Sequence, residues 1–220
     1  MSQTNIPIRF RFLRIPTTWE IRTVRGQGNR TAQFAFGVPE GKVGSVSALD
    51  AWKCREEFLE IADNDNESLL RFLAKVGEWH RPAGEQLGHW SSEVMQHYRQ
   101  GNPMPVDVRG LWKFRDSLKD ALVDARRPET SGIDFSLSFE LTGLATGVVT
   151  VTDAYHLLLA TVFVDAAKKV RFKICQREDC AKVFPLQSKH KKQFCGEYCA
   201  HITTVRRGRM KKKRARKSSR

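Results

Sequence analysis

The chain contains no apolar run approaching the roughly 20 residues needed to cross a bilayer. The longest apolar block, Ala154 to Val164, is interrupted by His156 and Thr161. The N-terminus, MSQTNIPIRFRFLRI, alternates in polarity and has no signal-peptide core. Cysteine is also scarce. There are five in 220 residues, too few for a secreted disulfide scaffold. These features lead us to expect a cytoplasmic protein with reduced thiols. Acidic residues are nearly missing from one end. From Lys168 onward there are only Glu178, Asp179 and Glu197 against 19 of the 38 Lys+Arg, a balance of +16 out of a net +14. The preceding 167 residues therefore balance at −2. A near-neutral body with a cationic end points to a polyanionic partner, nucleic acid before membrane.

Catalytic patterns are missing as well. No paired carboxylates in a credible frame, no Ser-His-Asp order and no cofactor loop is present, so the chain is not read as an enzyme. The Gly-rich PEGKVGS at 39–45 lacks the order of a phosphate-binding P-loop. Asp63 to Glu67 resembles a calcium loop, but Ser68 and Ala74 stand where such a loop needs Gly and Glu. His80, His89 and His97 are spaced eight or nine apart, which does not align them as ligands. Cys54, far from the other cysteines, reads as a small buried apolar residue.

Four of the five cysteines fall within 25 positions, CQREDCAKVFPLQSKHKKQFCGEYC, a C-x4-C-x14-C-x3-C pattern. Two close pairs joined by a short loop suit one tetrahedral zinc, with Cys175, Cys180, Cys195 and Cys199 as ligands. Four thiolates complete the coordination, so the expected Zn2+ is structural. An imidazole from His190 or His201 in place of one thiolate is the alternative. Val183, Phe184 and Phe194 are expected to pack over the metal. Lys182, Lys189, Lys191 and Lys192 are expected to favour the ionised thiols.

These residues resemble the CGNR zinc finger of bacterial regulators. The likeness is carried by Cys175, Cys180, Phe184, Phe194, Cys195 and Cys199, followed by Arg206 and Arg207, and covers about residues 170–213. Ala200-His201-Ile202 stands where that family has Gly-Asn-Arg, and the last cysteine pair is one residue closer. The resemblance implies a basic helix after the knuckle and a transcriptional regulator whose body senses an effector or a partner.

The body is expected to be α+β. Strands at 6–15, around Trp19 to Val24 and at Thr31 to Val38 would form an antiparallel meander with Phe10, Phe12, Phe34 and Phe36 inside. Helices follow from Ser47 to about Ala62, from Asp65 or Asn66 to Trp79, weakly over 85–99, and from Asp107 to about Arg126. A hairpin (133–141 with 144–151) precedes a buried central helix capped by Thr152 or Asp153. That helix leads straight into the knuckle. The divisions are a body at 1–169, a zinc knuckle at 170–205 and a basic tail at 206–220, disordered until an anion neutralises it.

The expected function is zinc-dependent nucleic-acid binding, with DNA favoured over RNA and a nucleoid location if DNA is the target. Arg206, Arg207, Arg209, Lys211, Lys212, Lys213 and Arg214 would make the contacts. The alternative is a protein-interaction module or an RNA- or ribosome-associated factor.

Overall fold

The computed structural model describes residues 8–13, 15–25, 31–40, 46–47, 50–77, 79, 97, 100, 102, 105–124, 136–142, 144–151, 153–186 and 192–218. The weak helix at 85–99 and the loop at 41–45 fall almost wholly outside them.

The fold is α+β. Strand β2 (Thr17–Arg25) and β3 (Thr31–Pro39) pair antiparallel from Thr17↔Pro39 to Arg25↔Thr31. Phe34, Phe36, Trp19 and Val24 are buried. The aromatics therefore serve the core and not an RNA-binding sheet face. Close approach explains Gly37, where an added Cβ would lie 2.9 Å from both Thr17 Cγ2 and the Trp19 ring.

Strand β1 (Ile8–Leu13) corrects the expected meander. It leaves β2 and joins a second sheet, ordered β4-β1-β7-β6. Here β4 is Val46–Ser47, β6 is Ser136–Thr142 and β7 is Leu144–Val151. β1 runs parallel to β7 from Ile8↔Gly147 to Phe12↔Val151. The cause is burial. Phe12 finds its apolar neighbours in Val149, Val151, Leu157 and Ala160. The hairpin β6–β7 forms as its alternation requires. A short β5 (Val106–Asp107) pairs with β3.

Helix α1 (Ala51–Glu60) starts later than expected. Its cap is Asp50, whose carboxylate accepts from the Lys53 N–H, and not Ser47, which belongs to β4. Helix α2 (Asn66–Val76) is capped by Asp65 and closed by Gly77, whose φ of 81° suits glycine. Helix α3 (Val108–Asp124) buries Leu111, Leu118, Ala121 and Leu122. Buried Arg115 on α3 donates to the Ile61 carbonyl at 2.6 Å and pairs with Asp63 at 2.5 Å. The apparent calcium loop is thus an α1–α2 turn held by a guanidinium.

Helix α4 (Ala154–Ala167) is capped by Asp153 and is central. Leu158, Leu159 and Val162 enter the main core with Phe58, Leu69, Trp79 and Leu111, while Leu157 and Ala160 face the β1–β7 sheet. One helix therefore closes both cores. Cys54 is buried in the main core, and burial pushes its thiol pKa up, as an inert apolar role requires.

Asp165 on α4 pairs with Arg55 on α1 at 2.7 Å and accepts from the Trp52 indole at 3.1 Å. Its backbone carbonyl accepts from the Val170 N–H at 2.9 Å, which turns the chain out of α4. Strands β8 (Phe172–Ile174) and β9 (Val183–Pro185) then form the hairpin that begins the cysteine knuckle. Phe172 and Val183 pack on the main core, and Lys182 forms an ion pair with Glu60 on α1. The hairpin also rests on α3.

Helix α5 (Glu197–Ser218) runs straight across the expected division at 205/206. The tail was expected to be disordered by its own repulsion. Local propensity favours the helix instead, because Arg, Lys, Met and Ala are all good helix formers. Among the described residues no helix is long and apolar enough to cross a membrane.

Candidate metal centre

The first cysteine pair comes from the β8–β9 turn. Cys175 directly follows β8, and its N–H donates to the Lys182 carbonyl at 2.9 Å. The Cys180 N–H donates to the Arg177 carbonyl at 2.9 Å, closing a tight turn. Ala181 then takes a left-handed φ of 47° and sends the chain back into β9. The second pair is set by α5. Cys195 precedes the helix and Cys199 lies in its first turns. The Gln176 N–H donates to the Gln193 carbonyl at 3.0 Å, which joins the two halves.

All four sulfurs lie within 4.8 Å of one another. The Cys180–Cys195, Cys195–Cys199 and Cys180–Cys199 separations are 3.7, 3.4 and 3.7 Å. These are too long for disulfides, and all four thiols are free. Four sulfurs about 2.3 Å from a central zinc would stand about 3.8 Å apart along each tetrahedral edge. The donor set thus fits one tetrahedral metal ion, and the four cysteines form a cluster able to coordinate it.

Around the thiols lies a small core of Phe184 with Leu186 and Phe194 at its margin. Val183 does not join it, contrary to expectation. Neighbours on a strand point to opposite faces, so when Phe184 faces the cysteines Val183 must face the body. Lys182 is taken up by Glu60, which raises its pKa, and Lys192 lies with Nζ 5.5 Å from the Phe184 ring centre. Lys189, Lys191 and His190 fall outside the described residues. His201 is exposed and is not one of the four clustered ligands.

The thiols are not equivalent in acidity. Burial alone would raise Cys175, but backbone donors at Cys195 and Arg177 and the neighbouring thiols outweigh it, holding it at about 7. Burial pushes Cys195 up to about 12, and the other three thiols add to the rise. Contact with Cys195 pulls Cys199 down, but burial and the Cys180 and Cys175 thiols raise it on balance. A bound dication would favour the thiolate at each position it coordinates.

Next to the cluster lies a charged constellation that sequence reading missed. Arg206 donates from both terminal nitrogens to the two Asp179 oxygens, each at 3.0 Å. This bond holds the Asp179 carboxyl below its usual range. Arg177 Nε lies 3.1 Å from Asp179, and its guanidinium carbon is 5.4 Å from the Tyr198 ring centre. Arg206, expected to contact nucleic acid, is therefore bonded to the knuckle. Arg207, Arg209, Lys211 and Lys212 are exposed on α5. Lys213 and Arg214 lie on the same helix, with side chains outside the described ones.

Comparison with known proteins finds no matching protein-family model, curated protein or solved structure. The chain is thus characterised by its own geometry: a four-cysteine knuckle of generic type, able to coordinate a metal ion, from which a basic helix extends.

Proposed function

We propose that this chain is a zinc-dependent nucleic-acid-binding protein, directed to DNA and regulatory in role. Cys175, Cys180, Cys195 and Cys199 hold one Zn2+, whose task is structural because four thiolates leave no open coordination position. In this reading the zinc serves binding and not catalysis. The observation that carries the reading is the start of α5 inside the cysteine cluster. A helix of 22 residues extends about 33 Å at 1.5 Å per residue. Its cations are thereby aimed by the knuckle, which is itself fixed to the body. A helix of this kind fits the major groove, where arginine can read guanine. Arg207 and Arg209 are free to approach bases or phosphates, and Lys211, Lys212 and Lys213 take phosphates. Arg206 supports the helix through Asp179. The body, with its own core, takes the effector or partner, and a cytoplasmic or nucleoid location, where thiols stay reduced, accords with this reading.

Salt dependence tests this reading. Log affinity for duplex DNA should fall linearly with log salt at about −0.9 per phosphate contact, with roughly five to eight contacts. Replacing Lys211, Lys212 and Lys213 with Ala should flatten that slope by about three units and weaken all sequences alike. Gel shifts across a salt series measure both. Salt-insensitive binding, or none at low salt to DNA or RNA, would redirect the knuckle to a protein-docking role.

Metal uptake should also be visible in protons. At about pH 8, zinc binding to the metal-free chain should release protons from Cys195 and Cys199, both of which lie above the usual thiol range. Affinity should therefore rise with pH. Calorimetry in buffers of differing ionisation enthalpy counts the protons, and a count near zero would contradict thiol ligation at these two positions.

A further inference from the structure

We propose that Tyr198 is a stacking site for an unpaired nucleobase, so that the nucleic acid bound by α5 contains a single-stranded stretch. The inference rests on the nucleic-acid reading and narrows its substrate class.

Tyr198 is 69% exposed, the most exposed large apolar side chain among the described residues. It contributes little to any core, yet it is firmly placed. It lies on α5 between Cys195 and Cys199, so its backbone is fixed by the same cluster that binds metal. The Arg177 guanidinium stands over its ring, and the Arg177 side chain is itself only 16% exposed, with Nε 3.1 Å from Asp179. A cation is thereby pinned against the ring, with the rest of the ring open to water. An aromatic ring held out in this way presents a flat π surface, and any unpaired base has a matching one.

The charge around Tyr198 selects the occupant. At 100° per residue, Arg209 and Lys212 fall within about 40° of Tyr198 around the helix axis, about 16 and 21 Å further along it. Both are exposed. One side of α5 therefore carries an aromatic platform followed by cations. Single-stranded nucleic acid matches this arrangement, since one base can stack while its backbone follows the charges. An intact duplex keeps its bases stacked on one another and has none to offer Tyr198. An acidic peptide would satisfy the cations but not the platform.

The test uses the full, zinc-loaded chain and three labelled 20-nucleotide probes of one sequence: single-stranded DNA, single-stranded RNA and duplex DNA. Tyr198→Ala should weaken single-strand binding about 5- to 150-fold and duplex binding less than about twofold. Tyr198→Phe should retain the wild-type affinity, because phenylalanine also stacks. The DNA and RNA arms identify which strand is preferred. Equal weakening on single strand and duplex, or no weakening on either, overturns the proposal. In case Tyr198→Ala loses zinc or fold, photocrosslinking of the wild-type chain to a 5-bromouracil single strand decides independently. Crosslinks at Tyr198 support the site, and crosslinks confined to other residues overturn it. If the Lys211–Lys213 changes flatten the salt slope while Tyr198→Ala has no effect, stacking fails and nucleic-acid binding stands. If no probe binds at low salt, both readings fall.

Discussion

Cys175→Ser should abolish zinc binding and melt the knuckle, whereas Cys54→Ser should leave the zinc content unchanged. Structural zinc contributes about 10–16 kcal/mol of apparent free energy to small domains, and this is also folding free energy. Little else in the knuckle has that magnitude. Its own core is essentially Phe184 with partly buried Leu186 and Phe194. Burying one phenylalanine is worth about 1.5–3 kcal/mol. Without metal, four sulfurs within 4.8 Å of one another gain little by staying together. Cys54→Ser acts elsewhere. It places a hydroxyl in the main core, costs about 1–3 kcal/mol and touches no ligand. Elemental analysis of the two purified variants separates these outcomes, and equal zinc in both would refute the ligand assignment. X-ray absorption of the wild-type protein should show an all-sulfur first shell. A nitrogen contribution would bring an imidazole back into consideration.

The second large effect is expected at Asp165. Its side chain is 9% exposed and that of Arg55 is 4% exposed, with 2.7 Å between them. Arg55 also donates to Thr161 at 3.2 Å, and its guanidinium carbon is 5.3 Å from the Phe172 ring centre at the base of the knuckle. Asp165→Ala leaves the guanidinium buried without its counter-charge, which costs about 3–5 kcal/mol. For a domain of this size the melting temperature should fall by about 6–20 °C, at about 2–4 °C per kcal/mol. The paired change Arg55→Met with Asp165→Leu removes both charges and should recover most of the loss, because an ion pair replaced by apolar groups is often neutral. Denaturant unfolding of the single and double variants measures the coupling. Additive losses would show that the pair contributes through packing alone.

The contrast between these two sites shows what was legible in the sequence. The cysteine cluster could be read in advance because ligand type and spacing are local properties. So could β2–β3, the β6–β7 hairpin and the buried helix α4, each set by periodicity within a few residues, while the caps Asp65 and Asp153 were each one of two adjacent candidates. The ion pair was not legible. Arg55 and Asp165 lie far apart in the chain, and nothing local marks an arginine on a helix as buried. The same holds for Arg115, which closes a turn belonging to other elements. The partner of β1 was missed because alternation reveals a dry face but not what covers it. Val183 was misplaced for a simpler reason, since the strand alternation that puts Phe184 on the thiols could have excluded it. The Arg177–Asp179–Arg206 arrangement was hidden in a charge count that treated each cation as free.

The parallel pairing of β1 with β7 also bears on how the chain acquires its fold. Ile8 and its partner Gly147 lie about 140 residues apart in the chain, a separation of the kind that slows folding. Until β7 and the hairpin to which it belongs have been synthesised, β1 is an unsatisfied strand, with Phe10 and Phe12 lacking their cover. Helix α4, which closes both cores, is made later still. The body therefore cannot complete its folding until this helix has been made, and during that interval β1 is the segment most open to wrong partners.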